Sequence, residues 1–152
     1  PPRSTLFPYT TLFRSHGLKP TITLSIDSLY FSKDLEKLVQ QLNSIENNRM
    51  YLFYSQYIFD EVCGDRSILH SHNTKIADAL NKNNISFKTI DYSENERLLY
   101  ENSLKVIKKY KKTFEDEGNL DLYEQKLKED IKGLELYDKN RASRYLYIIN
   151  GM

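Results

Sequence analysis

The stretch Ile22 to Ser28, ITLSIDS, decides how the rest of the chain is read. Ile22, Leu24 and Ile26 alternate with small polar residues, a period of two that predicts a strand with one apolar face, ending at Asp27. Working outward, Ser32 is placed to cap a helix whose Leu35, Leu38, Val39, Leu42 and Ile45 share one side, with Asp34 and Glu36 in its first turn. Asn47 and Asn48 close that helix. Met50 to Ser55, MYLFYS, is short, aromatic and apolar, which suits a buried second strand.

The remaining pattern continues the alternation. Gln56 to Val62 reads as one or two helical turns ended by Gly64, and a helix over 66–82 sets Leu69, His72, Ile76 and Leu80 on one side. Asn83 and Asn84 break it before a third strand, Ile85 to Asp91. Ser93 and Glu96 have the spacing of a capping box, opening a helix with Leu99, Ser103, Val106, Ile107, Tyr110 and Phe114 inward. After the loop 115–119, Leu120, Tyr123, Leu127, Ile131 and Leu134 predict another amphipathic helix, interrupted at Gly133. Asp138 is placed to cap a last helix carrying Ala142, Tyr145, Leu146 and Ile149, with Asn150 and Gly151 as its stop. Strands alternating with helices predict an α/β, three-layer Rossmann-like domain with a short parallel sheet flanked by helices.

Composition narrows the classes. With 152 residues, 39% hydrophobic and 28% charged, the chain suits one globular domain, and no run approaches the roughly 18 apolar residues of a membrane span. Its one cysteine, Cys63, excludes an intramolecular disulfide and points to a reducing, cytoplasmic setting. Thr5 to Ser15, TLFPYTTLFRS, looks like the translation of a sequencing adapter, so residues 1–15 are set apart and the domain is taken as 16–152. Without Arg3 and Arg14 the chain has 20 basic and 21 acidic residues, so nothing global favours nucleic acid or membrane.

Chemistry is therefore sought at the carboxyl ends of the strands, where open α/β sheets bind ligands. Asp27 stands at one such end. Glu61, six residues after Ser55, falls near the same edge. Two carboxylates from separate strand ends suit a hard divalent cation able to activate water for attack on a phosphodiester, although the spacing alone is accounted for without a metal and favours Asp27 as a strand end, Glu61 as a solvated helix residue and Asp138 as a simple N-cap.

On these residues the sequence resembles the PIN-domain nucleases. Asp27-Ser28 matches an acidic residue followed by a hydroxyl at the end of a first strand, YSQYIFDEV (54–62) a serine leading to a helical glutamate, and DKNRASRYLYIING (138–151) a later helix opened by aspartate. The resemblance implies a ribonuclease dependent on Mg2+ or Mn2+, with Asp27, Glu61 and Asp138 as metal ligands and catalytic acids and with Ser28 and Ser55 behind them. It also implies RNA as substrate, a toxin or defence role by family analogy, and an antitoxin as a protein inhibitor. Asp116, Asp121 and Asp130 remain alternatives for the third acid. Leu29 stands where the family often has asparagine. The family also runs on into another strand bearing an acid, so a chain cut after Met152 is the expectation.

Other features carry less. Lys108, Lys109, Lys111 and Lys112 around Tyr110 offer a phosphate-contacting patch or simply a solvated helix face. His70 and His72 point apart on the predicted helix, Cys63 reads as packing, and EDEGNLD (115–121) lacks calcium-loop spacing. No glycine-rich phosphate loop or GxSxG elbow occurs. The alternative to a nuclease is a non-catalytic PIN-like or Rossmann-like module that binds RNA or a protein partner.

Overall fold

Alternating branched and small residues make Ile22–Ile26 the first strand, β1, in the computed structural model, which describes residues 20–59 and 65–150. A single 3-10 turn, Leu29–Phe31, follows and drives Leu29 into the core. Helix α1, Leu35–Asn43, is capped by Asp34, whose carboxylate accepts the Lys37 N–H at 2.9 Å, so the cap lies two residues past the expected Ser32. Asn47, in left-handed backbone at φ 59°, turns the chain into β2, Arg49–Tyr57. Buried Asn48 secures this turn. Its amide donates to the Leu42 carbonyl at 3.1 Å, and its side-chain oxygen accepts from the Thr23 hydroxyl at 3.0 Å.

Strand β2 runs through Gln56 and Tyr57, where a helix was expected; the remainder of that expected helix, 60–64, lies outside the described residues. The helix expected over 66–82 is split into a 3-10 turn, Arg66–Leu69, and α2, Lys75–Lys82. Thr74 starts α2: its hydroxyl accepts the Ala77 N–H at 3.3 Å and pairs with the buried Tyr147 hydroxyl at 2.5 Å. Strand β3 is Lys88–Asp91, and α3, Ser93–Ile107, leads through a 3-10 turn, Lys108–Tyr110, into α4, Lys111–Asp116. Of the inner face expected for 99–114, only Ile107 is buried; Leu99, Val106 and Tyr110 are more than half exposed.

Helix α5, Leu120–Asp138, is continuous through Gly133, which is there because a methyl group would meet the Tyr100 ring at 2.6 Å. Asp138 is the last residue of α5 and not the first of another helix. Asn140 takes left-handed backbone at φ 52°, the Arg141 N–H bonds back to the Leu136 carbonyl at 2.7 Å, and Ala142–Ile149 is a strand, β4. The apolar positions 142, 145, 146 and 149 mimic a helical stripe. Over eight residues, however, Tyr145, Tyr147 and Ile149 alternate onto one face and Ala142, Arg144 and Leu146 onto the other. With that alternation, the aromatic and β-branched content favours the pleated strand.

The sheet has the order β1-β2-β4-β3. β1 and β2 are parallel, while β4 lies antiparallel to both β2 and β3. It is a mixed sheet where a parallel one was expected, because two long helices separate β3 from β4: Arg97 near the start of α3 meets Asp138 at the end of α5, so the pair runs in opposite directions and returns the chain to the end of the sheet where β3 finishes. On one face, Met50, Leu52, Tyr54, Tyr147 and Ile149 pack with Val39, Leu42, Ile76 and Leu80 of α1 and α2. On the other face, Tyr57 and Ala142 meet Tyr100, Leu136 and Tyr137 of α3 and α5. The result is a three-layer α/β domain of Rossmann-like form. No helix among the described residues is long and apolar enough to cross a membrane.

Candidate functional site

The parallel strands β1 and β2 end side by side, and polar side chains from five elements converge there. Asp27, the residue after β1, has left-handed backbone at φ 49°, a conformation that a short polar side chain tolerates better than a branched one. Its carboxylate is 44% exposed. Ser55 comes from β2, and Arg144 lies directly opposite it on β4. Glu96, in the first turn of α3, is buried and points into the same place.

Arg144 joins the two acids. Its Nη2 donates to Asp27 Oδ2 at 2.8 Å, and its Nη1 to Glu96 Oε2 at 2.9 Å and Ser55 Oγ at 3.1 Å. Glu96 is further held by the Ser55 hydroxyl at 3.0 Å, the Tyr137 hydroxyl at 2.9 Å and the Tyr57 hydroxyl at 3.5 Å. Four donors on a buried carboxylate make it a fixed anchor. Asp27 is held more lightly: besides Arg144 it accepts from the Tyr30 hydroxyl at 3.4 Å, and that oxygen accepts the Ser55 N–H at 2.5 Å. The Arg144 guanidinium also lies over the Phe53 ring, 5.5 Å from its centroid.

The electrostatics follow from this geometry. Burial works against the Arg144 charge, but the Asp27 hydrogen bond and the Glu96 charge more than offset it, so its pKa is raised and it stays cationic. Tyr137 and Tyr57 are pushed well above the usual tyrosine range, first by burial and then by the neighbouring Glu96 charge. Tyr30 is raised by burial, only partly countered by Ser55. The tyrosines therefore act as neutral donors. One guanidinium between two carboxylates leaves a formal excess of one negative charge, and Asp27 is its exposed end.

Of the acids expected to share a metal, Asp27 and Asp138 are among the described residues, and each has its own cationic partner. Glu61 lies outside the described residues, as does Cys63. Asp138, at the end of α5, stands 3.7 Å from Arg97, while Asp27 answers to Arg144. Asp130 is buried in the α3–α5 contact, accepting from Ser103 at 2.5 Å and paired with Lys126 at 2.8 Å; Asp116 and Asp121 are exposed. Among the described residues no group of three or more His, Cys, Asp or Glu is placed to hold a metal ion. The Mg2+ or Mn2+ expectation is corrected accordingly: the positive charge between the strand-end acids is the Arg144 guanidinium. Ser28 bonds to Ser25 at 2.8 Å, and Ser55 serves Glu96. Lys108 and Lys109, on the 3-10 turn between α3 and α4, and Lys111 and Lys112, at the start of α4, are exposed, with Lys111 3.8 Å from Glu115. His72 is exposed with its ring against Phe87.

Sequence reasoning missed Glu96 and Arg144. The capping box expected from Ser93 and Glu96 does not form: the Ser93 N–H goes to Asp91 at 2.8 Å, and Glu96 turns inward. Arg144 did leave a signal, as a lone charge within the aromatic run ASRYLYII.

No protein-family model matches the sequence, and a search of curated proteins finds no relative. Among solved structures the chain is similar to phosphoethanolamine N-methyltransferase 2 of Haemonchus contortus, solved in complex with phosphomonomethylethanolamine and S-adenosylhomocysteine. The TM-score is 0.69 at 11% identity, over 88% of this chain and 35% of that one. This chain thus spans about a third of that protein's length. The likeness is one of fold, and it overturns the PIN-domain resemblance: the matching fold is that of a Rossmann-like methyltransferase, and the helix on which the PIN motif depended is strand β4. The nuclease, ribonuclease and toxin–antitoxin readings lose their support with it.

Proposed function

We propose that this chain is a Rossmann-like binding module whose strand-end site receives a small molecule bearing a cationic amine, with Asp27 as the receiving carboxylate. One observation carries the reading: Asp27 is the exposed, lightly held end of an anionic cluster whose other members are buried and fully engaged. An ammonium about 4 Å from it gains on the order of 1 kcal/mol in water and about 4 kcal/mol at a partly shielded edge. The half-exposed ring of Tyr30 adds an aromatic surface for the same charge. The solved neighbour's bound phosphomonomethylethanolamine is an amine of this class, which supports the assignment by analogy of fold. A cytoplasmic setting, where Cys63 stays reduced, belongs to the same proposal.

The described residues do not by themselves form a site for the adenosyl group held by that neighbour; Gly17, before β1, and Gly64, after β2, lie outside them. Close approach of a nucleotide to backbone needs glycine after a strand, whereas β1 leads into Asp27, Ser28 and the buried Leu29, and β2 into Ile58 and Phe59. The described glycines, Gly118 and Gly133, stand in the α4–α5 turn and inside α5. No methyl-transfer step is therefore derived for this chain.

Calorimetric titration tests the reading with three probes: phosphomonomethylethanolamine, inorganic phosphate and S-adenosylhomocysteine. The amine should bind and lose about tenfold or more in affinity with Asp27→Asn, while the other two give no comparable heat. Equal binding of inorganic phosphate, or an amine affinity indifferent to Asp27→Asn, would sink the proposal.

A further inference from the structure

Where β1 stops, a side chain continues its ladder with β2. The Arg49 N–H bonds to the Thr21 carbonyl at 2.9 Å, and the parallel register runs from Ile22 opposite Arg49 to Ile26 opposite Phe53. With a period of two, the N–H groups of Tyr51, Phe53 and Ser55 face the same way as that of Arg49. The rung at Ser55 would need Asp27, but there left-handed backbone turns the chain out of the strand toward the 3-10 turn Leu29–Phe31. The Tyr30 hydroxyl takes that place and accepts the Ser55 N–H at 2.5 Å. Its ring packs on Tyr54, with centroids 4.8 Å apart.

That first bond fixes the direction of the second. Burial keeps the Tyr30 hydroxyl protonated, only partly countered by Ser55. Having accepted the amide proton, the oxygen offers its own proton to Asp27 Oδ1, 3.4 Å away, while Arg144 holds Oδ2 at 2.8 Å. We infer that Tyr30 is the positioning residue of the strand-end site: its hydroxyl ties the Asp27 carboxylate to the end of β2, so that one donor on each oxygen sets how the carboxylate meets an incoming ammonium. The inference rests on the amine reading above, and it gives the hydroxyl a role separate from that of the ring face. Tyr30 acts through Asp27, by orienting the charge before the ligand arrives.

Tyr30→Phe isolates the hydroxyl because it keeps the ring. With phosphomonomethylethanolamine as the probe, it should weaken binding about three- to tenfold, the range of one hydrogen bond and less than Asp27→Asn. In the Asp27→Asn background, where no charge is left to orient, adding Tyr30→Phe should change the affinity less than about twofold. Amide resonances supply a signature that a purely structural tyrosine would not. The Ser55 N–H of the wild type should shift as the probe saturates Asp27, and that response should vanish in Tyr30→Phe while the Met50 and Leu52 amides report an intact sheet. A Tyr30→Phe affinity within about twofold of wild type overturns the inference and leaves the amine reading standing, as does an equal loss with and without the Asp27 charge. If Tyr30→Phe does not fold, a wild-type Ser55 amide that stays unmoved at saturation overturns it. A wild type that does not bind the probe sinks the amine reading and this inference together.

Discussion

Replacing Arg144 by methionine tests the strand-end cluster as a structural unit. The change keeps the bulk of the side chain and removes the guanidinium from between Glu96 and Asp27. Three charge-assisted bonds disappear, at 2.9, 3.1 and 2.8 Å, to Glu96, Ser55 and Asp27. They are unequal. The Asp27 arm reaches a carboxylate that is 44% exposed, so solvent replaces much of it and its loss costs at most about 1 kcal/mol. The Glu96 arm leaves a buried acid without its counter-ion, a change that typically costs about 3–5 kcal/mol. Glu96 keeps the Ser55, Tyr137 and Tyr57 hydroxyls, which places the expected loss near the lower end, at about 3 kcal/mol. In a domain of this size that lowers Tm by roughly 6–12 °C. Urea unfolding at pH 7 of the wild type, Arg144→Met, Glu96→Gln and the double variant measures it as a cycle. The coupling energy should be about 2 kcal/mol. A single-variant loss below about 1 kcal/mol, or a coupling below about 0.5 kcal/mol, would show that Arg144 and Glu96 act independently and that Glu96 is no anchor.

Gly133→Ala should destabilise by about 1–2 kcal/mol although alanine is the better helix former, since its methyl group would meet the Tyr100 ring at 2.6 Å; a neutral or stabilising result in thermal unfolding would show that the ring yields freely. The raised pKa of Tyr137 gives a pH dependence whose sign is fixed: above about pH 10 the unfolded chain releases a proton that the folded chain keeps, so stability is full below pH 10 and falls as pH rises. The slope is about 1.4 kcal/mol per pH unit from Tyr137 alone, and the absorbance of its tyrosinate should appear only with unfolding; ionisation within the folded state would contradict the buried contact with Glu96. Asp27→Asn should leave stability within about 1 kcal/mol of wild type while weakening amine binding about tenfold or more, which separates a receiving role from a structural one.

Much of the architecture was legible along the chain. The alternation in ITLSI placed β1, the asparagines at 47 and 84 marked real left-handed turns, and the apolar stripes of α1 and α2 pointed to the core they form. These are local signals, set by side-chain period and backbone conformation within a few residues. The end of the chain was misread because positions 142, 145, 146 and 149 satisfy both a helical and an extended pattern, and only pairing with β2 and β3 decides between them. The same limit applied to the site. Asp27 could be found from its place at the end of a strand, but the guanidinium that binds it, Arg144, is 117 residues away in sequence, and Glu96, which shares that guanidinium, is 69 away. The sequence determined which segments could be strands and helices and that an acid ends the first strand. Tertiary structure decided that β4 enters the sheet antiparallel and delivers a guanidinium to that acid, because long-range pairing and the satisfaction of a buried charge depend on neighbours that no local pattern encodes.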